Sequence, residues 1–191
     1  MRVLYSGMLY LLLPLVLVRL LWRSLRDPGY RRRWRERLGQ VPWSPLESSL
    51  WIHAVSVGEV QAAQPLIRWL CRRYPELPTV VTTTTPTGSR RVRELFADQV
   101  RHVYLPYDIP RFLARFLDAT RPRLALMIET EIWPNLLNAC EQRGVPCILA
   151  NARLSERSAR GYGRFGAFSR DTLRRFAVIA AQGGSDAERF V

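Results

Sequence analysis

The sequence contains no lysine, and its 191 residues include only two histidines and three cysteines. Without lysine there is no P-loop, because a P-loop needs a lysine that reaches the phosphates of a nucleotide. Two histidines, His53 and His102, are too few for a histidine-based zinc site. The cysteines are odd in number, lack metal-ligand spacing and stand in apolar surroundings, so we expect core packing for Cys71, Cys140 and Cys147.

Acidic residues are also scarce, since 16 Asp and Glu stand against 29 basic residues, all arginine, for a formal net charge of +13. Arginine binds phosphate and carboxylate bidentately, so this charge predicts an anionic partner: nucleic acid, an acidic membrane surface or a phosphorylated substrate. Nucleotide bias in the genome would equally explain arginine in place of lysine, but not the excess of positive charge. The sequence has no recognised nucleic-acid module or aromatic platform, and we therefore expect no nucleic-acid partner.

Long hydrophobic runs are confined to the N-terminus, where residues 3–18 carry no charge. The run reaches the ~20 residues that span a bilayer if Arg19 snorkels. A cleaved signal peptide is the rival interpretation, but no small-x-small cleavage site follows the run. Eight arginines between residues 19 and 37 form a positive-inside flank. We therefore predict an uncleaved membrane anchor helix over residues 1–22, with the rest of the chain on the cytoplasmic side.

The next segment, residues 23–49, is predicted to be a basic juxtamembrane segment that lies against acidic lipid headgroups and ends in a linker containing Pro and Ser. From residue 50 onward, apolar strand patterns alternate with helical ones. The predicted strands are 50–55, 79–84, 100–105, 123–128, 145–150 and 177–181. The predicted helical stretches are 60–73, 88–97, 110–118, 134–143 and 155–175.

This alternation predicts an α/β fold over residues 50–191, a Rossmann-like doubly wound parallel sheet with strand order 3-2-1-4-5-6. Such sheets bind ligands in the crevice at the carboxyl ends of strands one and four, where the connections leave in opposite directions. The sequence shows no dinucleotide fingerprint, and its last predicted strand is followed only by a short polar tail. We expect a domain of this kind to be the first of two.

Carboxylates follow both strands that flank the predicted crevice. Glu59 lies just past strand one in a turn of small residues, and Glu129 and Glu131 lie just past strand four. A single glutamate there is equally well explained as a helix N-terminal cap. Two carboxylates at one crevice favour chemistry, in which one takes a proton from an attacking hydroxyl and the other stabilises positive charge on a sugar ring. His53 falls within strand one and is interpreted as a core residue.

Two further segments are candidates for anion binding. Thr87 and Gly88 open a helix whose backbone N–H groups could hold a phosphate or carboxylate, although an ordinary capped turn explains them as well. After strand five, arginines spaced four, three and four residues apart would share one helical face, and a solvated surface is the alternative for them. These arginines are Arg153, Arg157, Arg160 and Arg164.

Five segments together resemble the N-terminal half of the 3-deoxy-D-manno-octulosonic acid (Kdo) transferases. The resemblance covers nearly the whole chain, and the order of the motifs makes it specific. The segments are SVGE at 56–59, TTTTPTG at 82–88, LPYD at 105–108, ETEIWPN at 129–135 and NARLSERS at 151–158.

The resemblance implies an inverting, metal-independent GT-B glycosyltransferase that moves Kdo from CMP-Kdo to the lipid A precursor, lipid IVA, at the cytoplasmic face of the inner membrane. It implies that Glu59 is the general base and that Glu129 is the second acidic residue, with Glu131 in reserve. No cofactor or metal is expected. The substrate-binding residues predicted with it are Ser56, Gly58, Thr87, Gly88, Glu131, Arg153 and Arg157.

The family's second domain binds the CMP-sugar, and the sequence shows no counterpart of it. We therefore expect this chain to be the acceptor-binding half, with donor contacts made elsewhere. The alternative hypothesis is an inactive, membrane-anchored fragment that only binds acidic lipid or lipopolysaccharide precursors.

Overall fold

The computed structural model describes residues 1–163 and 166–190. Six strands form one parallel sheet in the order β3-β2-β1-β4-β5-β6, which confirms the predicted topology. The reversal of strand order falls between β1 and β4, so the crevice lies where the sequence places it. The strands are β1 Ser49–His53, β2 Thr79–Thr83, β3 Arg101–Tyr104, β4 Pro122–Ile128, β5 Cys147–Ala152 and β6 Phe176–Ala181.

Helices alternate with these strands, as a parallel sheet requires. The helical stretch predicted over 155–175 is described as helix on both sides of residues 164 and 165, as α6 and α7. Residues 164 and 165, among them the predicted Arg164, lie outside the described residues. The helices are α1 Arg2–Arg26, α2 Val57–Arg73, α3 Pro86–Phe96, α4 Pro110–Thr120, α5 Pro134–Glu141, α6 Glu156–Gly163, α7 Gly166–Leu173 and α8 Gly184–Phe190.

Each face of the sheet is buried by a pair of helices, because successive strand residues point to opposite faces. Trp51 in β1 is fully buried and packs with Phe116 of α4 in an edge-to-face contact, with ring centroids 4.9 Å apart. Ile52, the next residue, is also fully buried and packs on the other face with the core residues of α2 and α3. Cys140 and Cys147 are buried in the first of these cores, as expected for structural thiols.

The basic segment after α1 docks on the sheet. It contains two short 3-10 helices, of which Pro28–Tyr30 packs against α1 and Trp34–Leu38 packs against the edge strand β3. Glu36 accepts a hydrogen bond from the backbone N–H of Tyr104 (2.9 Å), and Arg33 donates to the carbonyl of His102 (2.7 Å). Glu36 and Arg37 are buried and the segment covers a sheet edge, so these two residues do not face lipid, while contact of the rest of the segment with lipid headgroups stays a prediction. Arg31, Arg32 and Arg35 remain exposed.

The helix α1 is long and apolar enough to cross a membrane, by length and composition. It continues past residue 22 and ends at Arg26, before Asp27, whose extended backbone is favoured by the following Pro28. Its N-terminal turns lie against the domain, since the Tyr5 hydroxyl donates to Asp108 (2.9 Å) and the Ser6 hydroxyl donates to Asn135 (2.9 Å). None of its residues is fully buried, so a broad apolar face of α1 is exposed.

Candidate active site

The candidate site lies at the carboxyl ends of β1 and β4. The helix α2 starts three residues after β1 ends, and its first turn carries Glu59. The turn of small residues predicted at 56–59 is thus the beginning of the helix, because the Ser56 hydroxyl caps it by accepting from the N–H of Glu59 (3.5 Å). The loop after β4 carries both Glu129 and Glu131 to the same crevice.

The Glu59 carboxylate is held by two donors. The backbone N–H of Val55 donates to Oε2 (2.6 Å), and the Ser56 hydroxyl donates to Oε1 (3.0 Å). This reciprocal pairing of Ser56 and Glu59 is a variant of the capping box, in which the carboxylate accepts from the N–H of Val55 in place of that of Ser56, so Glu59 does cap the helix, as the alternative interpretation proposed. Both roles are compatible, since the same bonds fix the carboxylate in one position at the crevice.

The surroundings of Glu59 favour its protonated form. The side chain is only 9% exposed, and this burial raises its pKa above the ordinary value. The hydrogen bonds from Val55 and Ser56 oppose the shift, while the negative charges of Glu131 and Glu129 add to it. A carboxylate with a raised pKa is a stronger base than a free one, which suits proton abstraction from a hydroxyl.

Glu131 is the more firmly positioned of the two carboxylates after β4. Its Oε2 atom accepts a hydrogen bond from the indole N–H of Trp133 (2.7 Å) and lies 3.5 Å from Nε2 of His53. Glu131 also acts on Glu59 more strongly than Glu129 does. The backbone of Glu129 adopts a left-handed conformation with φ 65°, and its N–H donates to the carbonyl of Ala150 (2.9 Å). Both glutamates remain predicted members of the site.

Sequence reasoning assigned His53 to the core, and its full burial in β1 agrees, but it missed the contact with Glu131. The Trp51 indole donates to the Thr82 hydroxyl (2.9 Å), whose oxygen lies 2.9 Å from Nδ1 of His53. If the Thr82 proton points to Nδ1, the imidazole carries its own proton on Nε2 and directs it at Glu131. A polar residue in a strand that is otherwise apolar was the signal available in the sequence.

Thr87 and Gly88 belong to the first turn of α3, which the Thr85 hydroxyl caps by accepting from the Gly88 N–H (3.1 Å). A side chain at Gly88 would bring its Cβ to 3.2 Å from the carbonyl oxygen of Val55. The glycine therefore allows α3 to begin against the end of β1, and the ordinary capped turn describes it. Thr87 is exposed beside it, and substrate binding by this turn stays a prediction.

Arg153 follows β5, and its carbonyl accepts a hydrogen bond from the Thr130 hydroxyl, which joins the loop after β5 to the loop after β4. Arg157 and Arg160 lie on the exposed helix α6. Within the described residues no acidic side chain is in ion-pair distance of Arg153, Arg157 or Arg160. Their charges are thus available to an anion, and no described contact joins them to Glu59.

A family model described as 3-deoxy-D-manno-octulosonic-acid transferase (kdotransferase) matches residues 32–191. This chain belongs to the Kdo transferase family. A curated relative from Haemophilus influenzae, named 3-deoxy-D-manno-octulosonic acid transferase, is 42% identical over 99% of this chain and 45% of its own length. A Bordetella pertussis relative of the same name is 38% identical over 88% of this chain and 41% of its own length. An Arabidopsis thaliana relative, named as a probable mitochondrial 3-deoxy-D-manno-octulosonic acid transferase, is 36% identical over 81% of this chain and 35% of its own length. The chain thus spans less than half the length of the curated relatives it matches.

Asp108, in the LPYD segment, has a structural role that the sequence did not reveal. Its carboxylate accepts from the backbone N–H groups of Asn135 (3.1 Å) and Leu136 (2.8 Å) in the first turn of α5, and from the Tyr5 hydroxyl. Burial raises its pKa to about 6, although these hydrogen bonds favour the charged form. Asp108 therefore connects α1 to the start of α5, just after the loop of Glu131.

A cavity of about 400 Å³ lies beside the candidate site and is lined by one of its carboxylates, Glu131. Glu131, Trp133 and Val55 reach it from the crevice, and α1 covers it with apolar side chains. Arg37 also lines the cavity, donates to the carbonyl of Thr84 (2.9 Å) and has no partner for its Nε among the described residues. Its burial lowers its pKa, and a buried, partly unpaired guanidinium favours an anionic group in this cavity.

Proposed function

We propose that this chain is the acceptor-side half of an inverting GT-B glycosyltransferase that moves Kdo from CMP-Kdo to lipid IVA, the acylated and phosphorylated disaccharide precursor of lipid A. The observation that carries the proposal is the fixed, largely buried Glu59 carboxylate at the switch point of the sheet, in the field of Glu131 and Glu129. Membership of the family supports the reaction class.

In the proposed step, ionised Glu59 takes the proton of an acceptor hydroxyl while that oxygen attacks the anomeric carbon of Kdo. The bond from this carbon to the phosphate oxygen of CMP breaks, CMP leaves with the electron pair, and the configuration inverts. The negative charges of Glu129 and Glu131 stabilise positive charge on the sugar ring as the bond breaks. The step as written needs no metal ion and no cofactor.

The remaining length of the relatives is enough for a second domain, which we propose holds CMP-Kdo. We place the acceptor on the described half because its free arginines can meet the phosphates of the disaccharide. We place the protein at the cytoplasmic face of the inner membrane, where the exposed apolar face of α1 and the arginines that follow it would lie in the membrane surface while its first turns stay on the domain.

The test compares Glu59→Gln with wild type in the chain completed by the C-terminal half of a relative. Glutamine is accepted at this position of a capping box, so the first turn of α2 should persist while the base is lost. We expect Kdo transfer to fall about 10²–10⁴-fold, measured by mass spectrometry of lipid IVA after incubation with CMP-Kdo.

Glu76→Gln is the matched control, because Glu76 is an exposed glutamate away from the crevice. It should transfer Kdo at the wild-type rate. Wild-type transfer by Glu59→Gln would exclude Glu59 as the base. No transfer by the completed wild-type protein, with lipid IVA still bound, would instead favour the hypothesis of a binding protein.

A further inference from the structure

A second groove, of about 440 Å³, lies between the first turns of α1 and the helices α5 and α7. Its lining is mostly apolar, and three of its polar side chains already have partners, Tyr5 in Asp108, Ser169 in the carbonyl of Tyr162 and Thr172 in the carbonyl of Phe168. The walls include Leu4 and Met8 from α1 and Phe168 from α7. Such a lining suits a hydrocarbon and offers nothing to a charged ligand.

The groove adjoins the candidate site across the loop after β4. Successive residues of the loop after β4 alternate between the two spaces, since Glu131 and Trp133 line the cavity at the carboxylates while Ile132 and Pro134 line the apolar groove. A single amphiphile could therefore place an apolar chain on one side of this loop and a polar head on the other.

The groove also opens towards the unpartnered face of α1. Leu4 and Met8, which line it, are 73% and 50% exposed, and the apolar face continues along the helix through Leu11 and Leu15. The bonds of Tyr5 to Asp108 and of Ser6 to Asn135 hold the first turns of α1 against the domain, and so form the outer wall of the groove. A chain could enter from a lipid surface in contact with α1.

We infer that this groove holds one acyl chain of the lipid acceptor, so that α1 is part of the substrate site as well as an anchor. The inference rests on the proposed function, because the occupant is the acyl chain of a phosphorylated disaccharide. The apolar lining of the groove takes the chain, and the buried Arg37 lines the cavity on the polar side of the loop, where it can meet the head group.

The experiment uses the chain in nonionic detergent micelles and measures binding of radiolabelled lipid IVA, of the same disaccharide after removal of its acyl chains, and of phosphatidylglycerol. Leu4→Glu places a charge in the groove wall. Leu11→Glu is its matched control, because Leu11 is 81% exposed, lies two helical turns further along the same face of α1 and does not line the groove.

We expect wild type and Leu11→Glu to prefer lipid IVA over the deacylated disaccharide, and Leu4→Glu to lose about tenfold or more of its affinity for lipid IVA only. A photoreactive group at the end of an acyl chain should label α7 near Phe168. Equal affinities of Leu4→Glu and Leu11→Glu for lipid IVA would overturn the groove inference alone. Equal wild-type affinity for phosphatidylglycerol and lipid IVA would contradict the proposed acceptor itself.

A partner protein or a second copy in the groove is the other outcome to be detected. Sedimentation of the chain without lipid would then show a dimer or complex that Leu4→Glu dissociates, and labelling by the acyl chain would not reach α7. That result would overturn the inference as well.

Discussion

The imidazole of His53, fully buried in β1, has its Nε2 atom 3.5 Å from Oε2 of Glu131 in the loop after β4. The two residues belong to the two strands that flank the crevice, so the contact joins the strand that leads to Glu59 with the loop that carries the second carboxylate. On the other side of the ring, Nδ1 lies 2.9 Å from the hydroxyl oxygen of Thr82 in β2. The imidazole thus lies between a buried hydroxyl of β2 and the Glu131 carboxylate.

Removal of that hydroxyl is the first prediction. Thr82→Val keeps the shape of the side chain but leaves the Trp51 N–H without its partner and the His53 Nδ1 with only the backbone carbonyl of residue 82 at 3.2 Å. A buried polar group left unpaired costs about 1–3 kcal/mol, and we expect the free energy of unfolding in urea to fall by that amount. Thr79→Val in the same strand is the control, because Thr79 accepts only a weak bond from the Cys71 thiol (3.5 Å). Equal losses in the two variants would argue against the network.

The pH dependence of transfer is the second prediction. Glu59 acts as a base only when it is ionised, and burial raises its pKa, so kcat/KM should rise with pH through a pKa above the ordinary value for glutamate. Glu131→Gln removes a negative neighbour and should move this rise to lower pH, and Glu129→Gln should move it less. The profiles are measured with the completed protein. An unchanged profile in Glu131→Gln would contradict the electrostatic coupling of the two carboxylates.

The two glycines near the site give a third prediction, because they occupy different surroundings. A Cβ at Gly58 would meet only the Ser56 hydroxyl at 3.9 Å, whereas a Cβ at Gly88 would lie 3.0 Å from the Thr85 hydroxyl and 3.2 Å from the Val55 carbonyl. Gly58→Ala should keep or slightly raise the thermal unfolding midpoint, and Gly88→Ala should lower it. If substrate approaches the backbone at Gly58, as predicted, Gly58→Ala should also lose transfer while it stays folded. Full transfer by Gly58→Ala would remove Gly58 from the binding site.

The fold was predictable because each strand is a short apolar run followed by a helical pattern, and few topologies allow that order. The place of Glu59 followed from the same rules. The start of α2 was not predicted correctly. The sequence pattern predicts the helix from residue 60, whereas the Ser56 side chain caps it and the helix begins at Val57.

Contacts that depend on distant residues were not predictable. Tyr5 and Asp108 are 103 residues apart, and nothing in an apolar run indicates that one tyrosine faces a buried carboxylate. The arginine-rich segment likewise looked like a solvated or lipid-facing stretch. Glu36 within it, however, accepts a hydrogen bond from the backbone N–H of Tyr104. This N–H is free to donate because β3 is an edge strand of the folded sheet, which the sequence of the segment itself does not show.

The contact between Tyr5 and Asp108 leads to the last prediction. The pKa of Asp108 is raised from 3.8 to about 6 in the folded chain, so the folded state binds this proton more tightly than the unfolded state does. Its contribution to stability is therefore complete below pH 3.8 and is lost as the pH rises through about 6. Asp108→Asn should abolish this part of the pH dependence in urea unfolding.

Tyr5→Phe tests the role of α1 in the same titration. The Tyr5 hydroxyl favours the charged carboxylate, and without it the pKa of Asp108 should rise further, so that the loss of stability occurs at higher pH. Tyr10→Phe is the control on the same helix, because Tyr10 is 46% exposed. If the curves of Tyr5→Phe and Tyr10→Phe coincide, α1 does not rest on Asp108 in solution. If the loss of stability moves to higher pH in Tyr5→Phe and not in Tyr10→Phe, the first turns of α1 are docked beside the carboxylates, as the acyl-chain groove requires.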